Sequence, residues 1–261
     1  MINNFFLYFF TIKNLQLKQI IYRIFYLIYF PSRPKVPKKI TIRDTELSKF
    51  FWLKKTCVYP KGNNYLFLNT KYKICKLKDL QILKIPKLWL YNFHYFDYLN
   101  TNHGLKKYSC AERLILSWIL FDQRKNKIGW EPYPTSLRIV NWIKWSIILR
   151  KNNDILNNSL YIQSIILSKK VEWHINANHL IANAKALIFS GVYIKNEKFV
   201  KIRVKGELIL SGQLDEQILN DGGHFERSPM YHSIILEDLL DILELDRIYP
   251  KIINPLLIKP P

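Results

Sequence analysis

Ser109-Cys-Ala-Glu-Arg-Leu-Ile-Leu-Ser-Trp118 is the stretch that decides the fold class of this chain. Ser109 followed three residues later by Glu112 has the spacing of a capping box, and Ala111, Leu114, Ile115 and Trp118 recur at i, i+3, i+4 and i+7, as one buried helical face requires. This helix is expected to end near Asp122. From residue 105 onward the same period continues. Thr135 or Ser136 can cap a second helix running to about Arg150, apolar except along Arg138, Asn141 and Lys144 and therefore expected to be buried nearly all round. Further helices are predicted over 155–169, 177–194 ending near Gly191, 197–219 and 229–246; the last has Ser228 as N-cap and Pro229 at the first helical position, where its missing N–H costs nothing. No comparable strand pattern follows residue 80, so the chain reads as all-α.

Upstream the organisation differs. Residues 58–80 combine a turn signal, Lys61-Gly62-Asn63-Asn64, with the strand-like runs Tyr65–Leu68 and Tyr72–Cys75, which predicts a small hairpin. Pro31, Pro34 and Pro37 punctuate the chain after the first helical segment. The division expected is an N-terminal helical segment (1–30), a linker with the hairpin (31–85) and a helical domain (86–261). The first segment is apolar, but Lys13, Lys18 and Arg23 interrupt it before it reaches the roughly 20 residues of a membrane span. Its apolar run precedes its charges, the reverse of a secretory signal, and no small-residue cleavage site follows, so no compartment is assigned. It reads as an amphipathic helix, docked on the rest of the protein or lying on a membrane surface.

With 261 residues, 49% hydrophobic, the chain can bury a real core. Lys and Arg number 40 against 20 Asp and Glu, a net charge of +20 that favours polyanionic partners through a salt-sensitive field. Charge alone does not choose among nucleic acid, acidic lipid and acidic polysaccharide. Cys57, Cys75 and Cys110 form no close pair, so neither a disulfide framework nor a zinc knuckle is indicated, and they read as small core residues.

Inner helices beginning near Ser136, Asn176 and Ser228 are separated by intervals that each hold one helix out and another back. Consecutive antiparallel hairpins place every second helix start at one end. Three loops should then share a rim: Trp130-Glu-Pro-Tyr133, Trp173-His-Ile-Asn176 and Asp221-Gly-Gly-His-Phe-Glu-Arg227. Trp130 and Tyr133 offer flat faces to sugar rings, and Arg138 and Glu226 offer charge to carboxylates and hydroxyls, although a tryptophan at a helix start also serves core packing. Asn178-His179 and Tyr231-His232 fall in first helical turns, where the partial positive charge favours an anion. The spacing of His224, Glu226 and His232 fits no familiar metal site, and no cofactor is indicated. A rim rich in aromatics and acids argues against nucleic acid, which wants continuous Lys and Arg.

Five segments carry a resemblance to the heparinase II/III family, especially members associated with bacterial surface-polysaccharide loci. They are Leu15–Arg23 (LQLKQIIYR), Leu88–Leu99 (LWLYNFHYFDYL), Trp130–Trp142 (WEPYPTSLRIVNW), Asn178-His179-Leu180 and Asp221–His232 (DGGHFERSPMYH), in the family's order. The resemblance implies a partial α/α toroid of antiparallel helical hairpins, followed by an antiparallel β-sandwich. It also implies β-elimination at a uronic acid: the C5 proton is removed, the C4 oxygen departs, and the charge developing on the carboxylate must be stabilised. Carried over, Asn178 neutralises the carboxylate, helped by His179. Tyr231 is the general acid and, for one stereochemistry, also the base, which requires its phenol pKa to fall from ~10. His232 and Glu226 orient substrate or Tyr231, and Arg138 grips a sugar carboxylate. The sequence ends at Pro261 without strand repeats, so turnover by these residues alone is not expected; the rival reading is a non-catalytic polyanion-binding helical domain in polysaccharide assembly.

Overall fold

A buried polar stripe organises the helices. The computed structural model describes residues 10, 13, 15–57, 60–121 and 127–254. Its helices are α1 (Leu17–Ile28), α2 (Asp79–Ile82), α3 (Lys87–Tyr95), α4 (Asn102–Lys106), α5 (Tyr108–Leu120), α6 (Pro132–Ile148), α7 (Asp154–Lys169), α8 (Asn178–Tyr193), α9 (Glu197–Gln217) and α10 (Pro229–Ile248). The only sheet among the described residues is the expected hairpin, β1 (Asn64–Phe67) antiparallel to β2 (Thr70–Lys73). The fold is all-α.

The helix starts follow local chemistry, with two departures from expectation. Asn153 and Asn196 cap α7 and α9, each side-chain oxygen accepting from a first-turn N–H at 2.9 Å. Helix α5 begins at Tyr108, ahead of Ser109, because α4 ends only two residues earlier and Lys107 alone makes the bend; the Ser109 capping box does not form. It ends at Leu120, and Asp122 lies outside the described residues. Helix α6 starts a turn earlier than Thr135 or Ser136, at Pro132, whose fixed φ is ready-made for the first position. The Ser136 hydroxyl instead donates to Pro132 O at 2.9 Å inside the helix.

Helix α8 lies at the centre: every residue from Leu180 to Tyr193 is buried, and it packs on α6, α7, α9 and α10. Gly191 does not end it. A Cβ there would come within 2.5 Å of the Arg203 Cβ on α9, so this glycine sets the close approach of the two helices. Helix α6 is buried nearly all round, as expected, and its polar residues find partners. Asn141 Nδ2 donates to Tyr95 O (2.9 Å) and Asp97 (2.8 Å), while Lys144 pairs with Asp241 of α10.

The three inner helices run in the same direction, and the segment 41–47 shows it. Arg43 N donates to Tyr193 O at the end of α8 at 2.8 Å, and its carbonyl accepts from the Tyr249 hydroxyl at the end of α10 at 3.1 Å. Arg150, just past α6, donates to Glu46 O and Leu47 O at 3.4 Å. With their C-terminal ends on one strap, α6, α8 and α10 bring their first turns together at the other end. The region 31–85 is more than a linker, since Ile40, Trp52, Tyr65, Phe67 and Ile74 share the core with the helices. The cysteines are free but not core residues: Cys57 is half-buried, and Cys75 and Cys110 are exposed.

Candidate functional site

At the first turn of α6, Glu131 precedes Pro132 and pairs with Lys87 of α3 at 2.9 Å, and the Tyr91 hydroxyl donates to the same carboxylate. Tyr91 and Tyr95, one turn apart on α3, thus line the approach to Tyr133; the Tyr95 and Tyr133 rings meet edge to face at 5.8 Å. The other side of Tyr133 lies against His179 of α8, ring centroids 4.3 Å apart and 31° from parallel. The first turns of α6 and α8 therefore touch. Burial, reinforced by the acidic neighbours Asp238, Asp97 and Glu172, raises the Tyr133 phenol pKa, and burial does the same to Tyr91 and Tyr95. These phenols stay protonated, and among them the Tyr91 hydroxyl is the one seen donating, to Glu131.

Behind His179 stands Glu172, a buried carboxylate 3.2 Å from its Nδ1. Glu172 is fixed in turn by Asn183, whose Nδ2 donates to it at 3.1 Å and whose Oδ1 accepts from Glu172 N at 2.8 Å. Asn183 Nδ2 also lies 3.0 Å from Ser136 Oγ, which ties α6 to α8 one turn below the rim. Asn178 opens α8 and is half-buried; before it, Asn176 and Ala177 both take positive φ, 70° and 52°. Such backbone is strained in non-glycine residues and persists where packing holds it, here presenting Asn178 at the rim.

The third loop is a tight hairpin on the end of α9. Gly222 takes φ 80°, Leu219 N donates to Gly223 O at 2.9 Å, and Phe225 N donates to Gln217 O at 2.8 Å. The turn buries His224, which pairs with Gln217 at 3.0 Å and lies 6.4 Å, ring to ring, from half-buried Tyr231 in the first turn of α10. Glu226 and His232 are exposed beside it. Among the described residues no ring contact joins the Tyr133–His179 pair to the His224–Tyr231 pair, so the rim holds two clusters on neighbouring helices.

Two predicted binding residues lie elsewhere. Arg138 is fully buried, its guanidinium 4.0 Å over Trp118 and donating to Gln163 Oε1 (2.8 Å), Thr135 Oγ1 (3.2 Å) and His94 O (3.3 Å). It faces the core and reaches no sugar carboxylate; an arginine six residues into an all-round buried helix has no path to the rim. Half-buried Trp130 packs against Trp118 at 6.1 Å, on the flank of the same aromatic core. Glu172, Tyr91 and Tyr95 are not among the residues that the sequence singles out. The i, i+4 spacing of the two tyrosines was the available signal, whereas nothing local marks Glu172.

Residues 97–250 match the family model described as Heparinase II/III N-terminus. No curated protein and no solved structure matches the chain. The matched span covers more than half of the chain and contains α5 to α10 with all three rim loops; the chain belongs to the heparinase II/III family and carries its N-terminal domain.

Proposed function

We propose that this domain forms the substrate-gripping wall of a polysaccharide lyase that cleaves uronic-acid-containing chains by β-elimination, with its helices arranged as a partial toroid. The observation that carries the reading is the Tyr133–His179 stack, backed by Glu172 and flanked by Asn178, at the shared end of three parallel helices. In the elimination, for the stereochemistry in which one group does both tasks, Tyr231 takes the C5 proton, the C5–H electrons form the C4=C5 double bond as the C4–O bond breaks, and Tyr231 returns the proton to the departing oxygen. Asn178 and His179 are placed at a helix N-terminus, where donors and the helix dipole favour the charge developing on the carboxylate. Tyr231 supplies the proton to the leaving oxygen, and Tyr133, held protonated, donates a hydrogen bond to substrate. Half-buried Tyr133 offers a ring face, and the exposed Glu226 and His232 orient substrate from the neighbouring loop.

The test is ultraviolet detection of the unsaturated uronate product, made with this domain joined to the β-sandwich domain of a family lyase. Tyr231→Phe should lower turnover by roughly 10²–10⁴-fold with substrate affinity nearly intact, because the ring keeps its packing and only the proton-transfer group is lost. Asn178→Ala should cost about 10²–10³-fold, also in turnover. Appreciable product from the Tyr231→Phe protein would remove Tyr231 as the acid. Failure of acidic oligosaccharides to bind the domain at all would remove the reading itself.

A further inference from the structure

Helix α1 meets the body of the protein with its polar, tyrosine-bearing side. Tyr26 donates its hydroxyl to Val171 O at 2.8 Å, the Tyr22 ring lies 6.0 Å from that of Trp173, and Gln19 Nε2 donates to Ile175 O at 3.3 Å. The Lys18 ammonium sits 3.4 Å over Trp173. The opposite arc is wholly aliphatic and aromatic: Leu17, Ile21, Ile24, Phe25, Leu27 and Ile28 are 40–79% exposed. A helix held in water by its hydrophobic face would be turned the other way.

The apolar face does not stop at α1. A groove beside it is lined by Ile21, Phe25, Tyr29, Trp173, Lys169 and Lys205. A second groove shares Trp173 and Lys205 and continues to Lys201, Val204 and Leu208 on α9, where Leu208 is 71% exposed. Lysines border this strip throughout, including Lys170, whose ammonium lies 5.7 Å over the Phe30 ring. The neighbouring carboxylate, Glu216, is occupied by Gln16, Asn176 and Gln213 at 2.9–3.1 Å.

We propose that this strip docks the domain on an anionic membrane surface, with α1 lying in the interface. The aliphatic arc enters the boundary between headgroups and acyl chains, and Lys169, Lys170, Lys201 and Lys205 meet the acidic headgroups. No described helix is long and apolar enough to cross a membrane; at twelve residues α1 is about 18 Å long, well short of the ~30 Å hydrocarbon core. A second copy of the chain is the poorer occupant, since pairing these lysine-bordered strips would set like charge against like charge. Bound this way, α1 brings the adjacent Trp173–Asn176 loop close to the lipid surface.

Sedimentation of the 261-residue chain with vesicles tests the proposal. Phosphatidylcholine vesicles containing phosphatidylglycerol should bind the chain at least ~10-fold more tightly than pure phosphatidylcholine, with the preference shrinking as salt rises. The Ile24→Asp/Ile28→Asp variant should lose at least ~10-fold of this binding and keep its thermal transition and its acidic-oligosaccharide affinity, because both side chains point to solvent. The Lys169→Gln/Lys201→Gln variant, which leaves α1 untouched, should lose most of the preference for anionic lipid. No vesicle binding, equal binding by wild type and the aspartate variant, or equal binding to neutral vesicles would overturn the proposal. So would a concentration-dependent dimer abolished by the same aspartates, which would make a second copy the occupant.

Discussion

At the scale of single residues, burial separates Arg138 from the rim groups it was expected to join. Its guanidinium saturates Gln163, Thr135 and the His94 carbonyl and covers Trp118, so its work is in the fold. Arg138→Met should lower stability by about 2–4 kcal/mol, since it strands buried acceptors, and should leave oligosaccharide affinity of the folded fraction unchanged. Urea unfolding and a binding titration on one preparation check both halves; a selective loss of affinity would return Arg138 to the site. His94, next to it, is fully buried and accepts at Nδ1 from Trp118 Nε1 at 3.0 Å. Burial, then Arg138, lowers its pKa well below the ordinary value near ~6.5. Above that value neither state binds the proton and the stability is fully present. Below it the unfolded chain takes up a proton that the folded chain refuses, so stability falls with pH, by up to about 1.4 kcal/mol per unit. His94→Gln keeps an acceptor for the indole and does not titrate. The stability advantage of wild type over this variant should therefore shrink between pH 7 and pH 5, and a pH-independent difference would contradict the assignment.

Between helices, the alignment of α6, α8 and α10 rests on a buried charge cluster as well as on the strap at their ends. Lys185 of α8 pairs with Asp238 at 2.8 Å and with Asp241, and Asp241 also takes Lys144 of α6. Burial opposes the charge of Lys185, but the two aspartates outweigh it and raise its pKa; at Lys144 burial wins and the pKa falls to about 8. Lys185 is thus the linchpin. Lys185→Met leaves two carboxylates facing each other with one weakened ammonium, and should cost about 3–5 kcal/mol in chemical denaturation. Recovery of much of that loss in Lys185→Met/Asp238→Leu would show that the cost lies in the unpaired charge and not in the lysine's packing.

For the whole molecule, the charge of +20 acts over distance and every polyanion feels it. If acidic polysaccharide is the ligand, its affinity should fall steeply between low salt and 0.15 M, where the screening length is about 8 Å, and neutral glycans of equal length should bind poorly throughout. Equal affinities for acidic and neutral chains across that range, measured by calorimetry, would count against the uronate reading.

Much of this architecture could be read along the chain because it is written in short-range chemistry. Local patterning along the chain places six helices, α5 to α10, to within a few residues; Asn153 and Asn196 cap two of them as such residues do, and Pro229 starts α10 at the first position. The direction of Arg138, the Glu172 carboxylate behind His179, and the outward turn of the aliphatic side of α1 could not be read so. Each depends on residues well outside the local window: Gln163 and His94 for Arg138, Asn183 for Glu172, and, about 150 positions away, Val171 and Trp173 for Tyr26 and Tyr22. Local sequence specifies which face of a helix is apolar. Only the packed neighbours decide what that face meets, because burial energy depends on the surface removed from water and not on the sequence distance over which it is removed.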